Sequence, residues 1–310
     1  GGASARPFQT HHNTLDMEMY LRIADELYLK RLIVGGYDKV WEYCKDFRNE
    51  GMDRLHNPEF SMIEVYWAYA DYRDMARLVE DLIREVTLAA HGSYKFTYGE
   101  YEIDVEPPFR WVSMVDSIKE ATGLDLLAMD HAQAIAACKS LHLPVEELIN
   151  WGKCVEAIWE AKVEPTLIQP TFITDFPKDI SPLAKVHRDN DRLTERFELF
   201  IATQECGNAF SELNDPADQL RRFMQQGKAL EAGDEEAQPL DDDFITALTY
   251  GMPPTAGLGM GIDRLVMLMT NQHSIRDVLF FPQMKKELGD GAVPVSKILS
   301  QIIAGEKEKQ

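Results

Sequence analysis

VWEYCKDFRNEGMDRLHNPEFSMIEVYWA, residues 40–68, carries the clearest strand pattern in the chain. The pattern is strand-like over residues 40–48 and again over residues 61–68, where β-branched and aromatic residues are frequent, and a polar loop separates the two runs. Successive side chains of a strand point to opposite faces, so a period of two is typical of a half-buried strand. The segment predicts an antiparallel hairpin with a long connection. Residues 16–23 (DMEMYLRI) alternate with a period of two and predict a further half-buried strand.

One side of the predicted hairpin is unusually polar. Glu42, Asp46 and Arg48 share a side of the first strand, and Glu64 and Tyr66 share a side of the second. If both sets lie on the same face of the sheet, Arg48, Glu64 and Tyr66 converge on one pocket. A solvated face of an ordinary sheet gives the same alternation, so periodicity alone leaves both interpretations open.

Carboxylates are concentrated further along the chain, on a second predicted pair of strands. Glu198, Glu205 and Glu212 form an acidic cluster, and Asn208 and Phe210 fall on the same face as Glu212. Such a cluster suits a hard divalent cation such as Mg²⁺, which takes oxygen ligands and usually arrives with nucleotide phosphates, and it also suits a cationic substrate. Acids scattered over the exposed strands of an acidic protein are the ordinary alternative.

Residues 257–264 read GLGMGIDR and lead directly into an apolar helical run. Their GxGxG spacing differs from the GxGxxG fingerprint of dinucleotide-binding loops, so a Rossmann fold is not indicated. Glycines allow the backbone to approach a flat ligand closely, and Arg264 at the start of a helix could cover an adenine ring or reach a triphosphate.

Composition narrows the class of protein. The 310 residues are 45% apolar, which supports a large core, and the net charge of -20 argues against a general nucleic-acid-binding surface such as a DNA-binding protein has. We see no signal peptide or membrane span, and expect a cytoplasmic protein without membrane contact. The four cysteines form no CxxC pair and are expected to be buried free thiols.

The chain divides by pattern into four parts. Residues 1–107 and 165–284 carry the predicted strands, and together with helical stretches they predict an α+β fold. Residues 108–164 are rich in helix formers and predict a mostly helical insertion. Residues 285–310 form a tail whose apolar spacing fits one amphipathic helix.

Several segments in order resemble the class II aminoacyl-tRNA synthetases, over residues 1 to about 284. FRNEG (47–51) followed by HNPEF (56–60) resembles their motif 2, and residues 257–264 resemble motif 3. Four further segments are similar to the bacterial lysyl-tRNA synthetases: GGASARPFQTHH (1–12), ELYLK (26–30), QPTFITDFP (169–177) and ECGNAFSELND (205–215). The resemblance implies the class II fold, an antiparallel β-sheet flanked by helices.

The resemblance also implies a reaction: ATP activates L-lysine to lysyl-adenylate, pyrophosphate leaves, and lysine passes to the 3′ end of tRNA(Lys). Arg48 and Arg264 would be catalytic, with Arg48 bridging the lysine carboxylate and the α-phosphate. Arg264 and Phe60 would enclose the adenine, and Glu198 and Glu205 would hold Mg²⁺. The implied ATP contacts are Arg48, Glu50, His56, Asn57, Phe60, Glu198, Glu205, Gly261 and Arg264.

Lysine selectivity would come from Glu212 and Tyr66 at the ε-ammonium, because a carboxylate removes the cost of burying that charge. Glu26 and the backbone at Gly2 would meet the α-ammonium. The implied lysine contacts are Gly2, Glu26, Arg48, Glu64, Tyr66, Asn208, Phe210, Glu212, Gly257 and Gly259. The resemblance further implies a homodimer and contact with the acceptor end of tRNA(Lys).

The chain also departs from the family pattern. Leu55 stands before His56 where many relatives have an arginine, and Arg54 is the nearest arginine, so its phosphate role is open. The family's anticodon-binding OB domain and motif 1 would precede residue 1, so we expect this chain to correspond to the catalytic domain.

Two alternatives belong to other classes. A relative that lysylates a protein, as the elongation factor P ligase does, lacks an OB domain, which would fit this chain. Its pattern, however, is ExAN where this chain has ECGN, and Gly207 therefore favours ordinary α-lysine as the substrate. A catalytically inactive binding domain would be expected to have lost Arg48, Arg264 or the acids, and all of them are present.

Overall fold

The computed structural model describes residues 5–231 and 240–284. The strands in these ranges are β1 (Gln9–His12), β2 (Met17–Tyr20), β3 (Lys39–Phe47), β4 (Glu59–Ala68), β5 (Lys95–Tyr98), β6 (Tyr101–Asp104), β7 (Arg110–Ser113), β8 (Thr171–Thr174), β9 (Val186–His187), β10 (Asn190–Thr194), β11 (Arg196–Ile201), β12 (Gln204–Ser211) and β13 (Thr255–Gly261). The α-helices are α1 (Glu26–Val34), α2 (Tyr72–His91), α3 (Met114–Thr122), α4 (His131–Ser140), α5 (Trp151–Lys162), α6 (Pro216–Glu231), α7 (Asp242–Thr249) and α8 (Ile262–Met269). The predicted contact at Gly2 and the predicted tail helix over 285–310 lie outside the described residues.

A seven-stranded sheet organises the fold, in the order β3-β4-β13-β12-β11-β8-β7. All neighbours are antiparallel except β7 and β8. The predicted hairpin is the β3–β4 pair, and the predicted α+β class with a mainly antiparallel sheet is confirmed. Helices α3, α4 and α5 fall within residues 108–164, whose limits as a separate part stay a prediction.

Helix α2 covers one face of the sheet. It begins at a capping box formed by Asp71 and Asp74, and ends at Gly92, which adopts the left-handed conformation that glycine tolerates without strain. Its buried side chains, including Val79 and Ile83, belong to the same apolar core as Leu258 of β13. Burial of each such side chain contributes about 1.5–3 kcal/mol. The opposite face of the sheet is left for the site.

The alternation over residues 16–23 predicts a half-buried strand, and this is wrong in one respect. Residues 17–20 form β2, but every residue of β2 is exposed. The reason is that β2 pairs with β1 in a two-stranded ribbon outside the seven-stranded sheet, and none of the described residues forms a second layer over either of its faces. None of the helices in the described ranges is long and apolar enough to cross a bilayer.

The polar side of β3 is the buried side. Cys44 and Asp46 are buried, whereas Trp41 and Tyr43 on the other side are 68% and 56% exposed. This arrangement contradicts the alternative of a solvated polar face, because burying carboxylates on a sheet is costly unless they have a function or a partner there.

Candidate active site

A cavity of about 1100 Å³ lies over the uncovered face of the sheet. All of the predicted site residues that the structure describes line it: Glu26, Arg48, Glu50, His56, Asn57, Phe60, Glu64, Tyr66, Glu198, Glu205, Asn208, Phe210, Glu212, Gly257, Gly259, Gly261 and Arg264. They come from strands, loops and helices spread over more than 200 positions of the chain. The convergence expected for Arg48, Glu64 and Tyr66 is therefore present in the structure.

Strand register brings these residues together. Across β4 and β13, Glu64 stands opposite Gly259 and Tyr66 opposite Gly257, and across β12 and β13, Asn208 and Phe210 face the same two glycines. Paired residues of neighbouring strands share a face of the sheet. The three strands thus form one continuous floor under the cavity.

The glycines of residues 257–264 lie within a strand rather than in a loop. In β13 the odd-numbered glycines face the cavity, while Leu258 and Met260 between them are buried in the core beneath α2. A Cβ at Gly257 would overlap the Glu212 carboxylate and come within 2.6 Å of Tyr66 Cε1. A side chain is excluded at this position because two polar groups of the site fill the space.

Strand β12 contains a register shift that alternation alone does not reveal. Leu199 of β11 pairs with Gly207, but the next residue, Phe200, pairs with Glu205, so Cys206 is an extra residue. An extra residue of this kind reverses the face on which the following side chains point. The shift therefore places Glu205 on the same face as Asn208, although the two residues are three positions apart.

Buried carboxylates dominate one end of the cavity. Glu64 accepts hydrogen bonds from the Tyr66 hydroxyl at 2.9 Å and from the Asp25 backbone N–H at 3.2 Å. Burial and then the negative charge of Glu26 raise the pKa of Glu64 to about 8. Burial likewise raises the pKa of Glu212 well above its ordinary value. Oε1 of Glu212 is buried and accepts no hydrogen bond from any residue that the structure describes.

Lys30 is a functional candidate that sequence reasoning missed. It lies on α1 one turn after Glu26, and its ammonium forms ion pairs with Glu26 and with Glu212. Burial opposes the charge of Lys30, but the Glu212 and Glu26 carboxylates outweigh this effect and raise its pKa. The spacing of four residues between Glu26 and Lys30 was a usable signal for the first ion pair.

Arginine side chains dominate the other end. The Arg48 guanidinium lies 5.0 Å from the centre of the Phe60 ring. Arg264 donates to the backbone oxygen of Glu205 at 2.9 Å and lies 3.0 Å from Nε2 of His56. His56 in turn bonds Asp53 through Nδ1 at 2.9 Å. The predicted enclosure of adenine by Phe60 and Arg264 stays a prediction.

Glu198 lies between two polar partners on the same face. Arg196 donates to its Oε1 at 2.6 Å, and Asn208 donates to the same oxygen at 3.2 Å. Burial and then the charge of Glu205 raise the pKa of Glu198 to about 8. Arg196 was also missed, although its position two residues before Glu198 on one strand places both on one face.

Comparison with known proteins decides the family. A family model described as tRNA synthetases class II (D, K and N) matches residues 1–285. The chain belongs to this family. The resemblance found in the sequence is thereby confirmed.

The class II synthetase chain is similar to curated proteins named lysine--tRNA ligase. It is 56% identical to that of Carboxydothermus hydrogenoformans over 92% of this chain and 59% of the relative. It is 54% identical to that of Christiangramia forsetii over 93% and 50%, and 57% identical to that of Halalkalibacterium halodurans over 92% and 57%. The chain therefore spans between half and three fifths of the length of these relatives.

In the motif 2 loop of this class II synthetase, Arg54 stands one position before the place where many relatives have an arginine, and its side chain points to a different partner. Arg54 donates through Nε and Nη2 to the backbone oxygen of His273, at 3.3 and 3.2 Å, and lies outside the cavity wall formed by the described residues. Leu55 and His56 line the cavity instead. Arg54 thus ties the loop to the segment after α8.

Three further metal-capable side chains of the synthetase lie close together: Asp25, Glu42 and Cys44. Arg22 already donates to Asp25 at 3.0 Å and to Glu42 at 2.9 Å. A cation of the protein itself therefore already contacts both carboxylates of this group.

Proposed function

We propose that this chain is the catalytic domain of a lysine–tRNA ligase, which activates L-lysine with ATP and transfers it to the 3′ end of tRNA(Lys). The observation that carries the proposal is the Oε1 atom of Glu212. This oxygen is buried at the cavity wall and receives no hydrogen bond from the described residues. A buried carboxylate oxygen without a donor is costly, and the ε-ammonium of lysine would supply the missing donor.

The distribution of charge gives the substrate a direction. The carboxylates of Glu64 and Glu212 lie beside Gly259 and Gly257 of β13, and Glu26 shares Lys30 with Glu212. The Arg48 guanidinium lies over Phe60, two residues from the β4 position that pairs with Gly261. Lysine carries two ammonium groups and one carboxylate. In the proposed orientation the ammonium groups meet the carboxylates, and the lysine carboxylate meets Arg48.

Arg48 would act where negative charge is shared during the reaction. A lysine carboxylate oxygen attacks the α-phosphorus of ATP, an anhydride bond to lysine forms, and pyrophosphate leaves. A guanidinium that contacts both reactants aligns them and offsets their repulsion, which are the main contributions available in phosphoryl and nucleotidyl transfer. Arg264, fixed by Glu205 and His56, would bind the nucleotide.

Glu198 and Glu205 would hold Mg²⁺ bound to ATP, which would neutralise phosphate charge. Both carboxylates line the cavity, and the charge of Glu205 raises the pKa of Glu198, so the two repel each other when no cation lies between them. Carboxylate oxygens are the ligands that Mg²⁺ prefers. The donor set therefore fits the ion.

The remaining partners follow from the same proposal. The lysyl group would pass to the terminal ribose of tRNA(Lys), in the cytoplasm and away from membranes. A homodimer is expected, and the exposed Trp41 and Tyr43 on edge strand β3 supply an apolar surface that a second copy could cover. Light scattering of the purified chain would measure its oligomeric state.

Amino-acid-dependent ATP–pyrophosphate exchange, run separately with each of the twenty amino acids, tests the proposed activity. We expect exchange with lysine alone, because the other amino acids lack a second ammonium group at that distance or carry the wrong charge. Exchange with aspartate or asparagine instead would contradict the assignment. Charging of tRNA(Lys) is measured afterwards with radiolabelled lysine.

A further inference from the structure

Lys30 occupies an unusual position behind the wall of the cavity. Its side chain is fully buried, and so is that of Glu212, while that of Glu26 is 7% exposed. Glu26 and Glu212 line the cavity, but Lys30 does not. Its ammonium therefore contacts both carboxylates from the side away from the substrate space.

The groups around Lys30 come from four elements. Glu26 lies on α1, the helix that also carries Lys30, and Glu212 directly follows β12. The centres of the Phe210 and Phe244 rings lie 5.6 and 6.0 Å from Nζ of Lys30. From β4, Glu64 and Tyr66 face the Glu212 carboxylate, and the charge of Glu64 adds to that of Glu26 in raising the pKa of Glu212.

One nitrogen in contact with two carboxylates fixes their separation. Two hydrogen-bond lengths span about 6 Å, so Glu26 and Glu212 lie within that distance of each other. Two buried carboxylates so close cannot both ionise readily without a cation, and one of them retains a proton. A protonated carboxyl group is a poor partner for an ammonium group.

We propose that Lys30 is a positioning residue for lysine recognition, which keeps Glu26 and Glu212 ionised together so that each can accept one ammonium group of the substrate. The contacts support this role, because one buried ammonium group pairs with both carboxylates, and both carboxylates line the cavity. The inference rests on the proposed function, because it concerns recognition of that substrate.

A double-mutant cycle tests the proposal with lysine-dependent ATP–pyrophosphate exchange. Lys30→Met and Glu26→Gln are measured singly and together, and KM for lysine and kcat are separated. Each single change is expected to raise KM about tenfold or more, with kcat nearly unchanged. Since glutamine mimics the protonated acid, the double variant is expected to resemble Glu26→Gln alone, because one ionised carboxylate remains in both.

Other results of the cycle overturn the proposal. If the two KM effects multiply in the double variant, Lys30 acts independently of the charge state of Glu26 and serves packing alone. A lower KM in Lys30→Met would show that Lys30 competes with the substrate for Glu212.

Conservative variants separate charge from folding. Lys30→Arg retains the cation and should keep KM for lysine closer to the wild-type value than Lys30→Gln, which is uncharged. Equal KM values for these two variants contradict the proposal, even where Lys30→Met fails to fold. Arg31→Met is the matched control, because Arg31 lies next on α1 and pairs with Asp241 at 3.0 Å without lining the cavity.

Measurement of the wild-type chain distinguishes a failure of the proposed function from a failure of the proposed role of Lys30. Absence of lysine-dependent exchange in the wild type contradicts the proposed function itself. Normal wild-type exchange with an unaffected Lys30→Met variant contradicts only the role of Lys30.

Discussion

A methyl group added to Gly257 would occupy the space of the Glu212 carboxylate. The overlap is direct, and the same added carbon would stand 2.6 Å from Cε1 of Tyr66. Glu212 and Tyr66, two groups of the cavity wall, thus pack directly against Gly257. Its missing side chain is a requirement of the site rather than of the backbone, since no positive φ angle is involved.

Gly257→Ala should displace Glu212 and Tyr66 and lower kcat/KM for lysine by about 100-fold, with a much smaller change in KM for ATP. A shift of about 1 Å in substrate-positioning groups has effects of this size. Exchange kinetics at varied lysine and varied ATP measure the two constants. Gly227→Ala is the matched control, because nothing lies within 4 Å of an added Cβ there. Equal loss in both variants would point to general destabilisation.

Arg48→Ala should reduce kcat for pyrophosphate exchange by about 100-fold or more, since removal of one charge-stabilising donor typically costs that much. Arg54→Ala, in the loop after β3 but outside the cavity, should keep most of the activity. Both variants are assayed at saturating lysine and ATP. Comparable activity of the two variants would remove Arg48 from the proposed mechanism.

Glu212→Gln should raise KM for lysine by about 30-fold or more, because breaking a buried charge pair leaves its partners uncompensated. Glu195→Gln supplies the comparison, since Glu195 is also buried and bonds Arg188 at 2.6 Å but does not line the cavity. Isothermal calorimetry with lysine measures affinity independently of turnover. An unchanged lysine affinity in Glu212→Gln would refute the ε-ammonium assignment.

Asp46→Asn should stabilise the fold at neutral pH. Burial and then the charge of Asp25 raise the pKa of Asp46 from 3.8 to about 6, so the folded chain binds this proton more tightly than the unfolded chain does. The resulting stabilisation is full below about pH 4 and is lost as the pH rises through 6. Asparagine mimics the protonated acid and escapes the loss, which amounts to at most about 3 kcal/mol.

Urea denaturation at pH 4.5 and 7.5 measures this effect as the difference between Asp46→Asn and wild type. The difference should be small at pH 4.5 and clear at pH 7.5. Asp81→Asn, which changes an exposed carboxylate on α2, is the control measured at the same two pH values. A pH-independent difference for Asp46→Asn would contradict the assigned pKa.

The spacing of residues along the predicted strands identified which site residues lie together, because a period of two determines which side chains share a face of the sheet. Glu64 with Tyr66, and Asn208 with Glu212, could be grouped from their spacing alone, and the structure places each pair at the cavity. Family resemblance added the loop residue His56, for which spacing gives no signal.

The features that the sequence did not predict depend on tertiary structure. Lys30 reaches Glu212 only because α1 packs beside the sheet, and no local pattern contains that contact. The exposure of β2 depends on the absence of a covering layer in the described fold, which the alternation of residues 17–20 cannot express. Arg196 was within reach of sequence reasoning, because it precedes Glu198 by two positions on one strand.

Cys206 is an extra residue in β12, and the alternation of side chains between the two faces of the sheet changes phase there. Before it the odd-numbered Glu205 faces the cavity, and after it the even-numbered Asn208 and Phe210 do. If β12 alternated strictly from Asn208 back to Glu205, Cys206 would face the cavity and Glu205 would turn toward α2. In the proposed assignment, the nucleotide-binding residue Glu205 lies before Cys206, and the lysine-binding residues Asn208 and Phe210 lie after it. One strand can thus present residues to both proposed substrates, because the shift allows odd- and even-numbered side chains to face the same cavity.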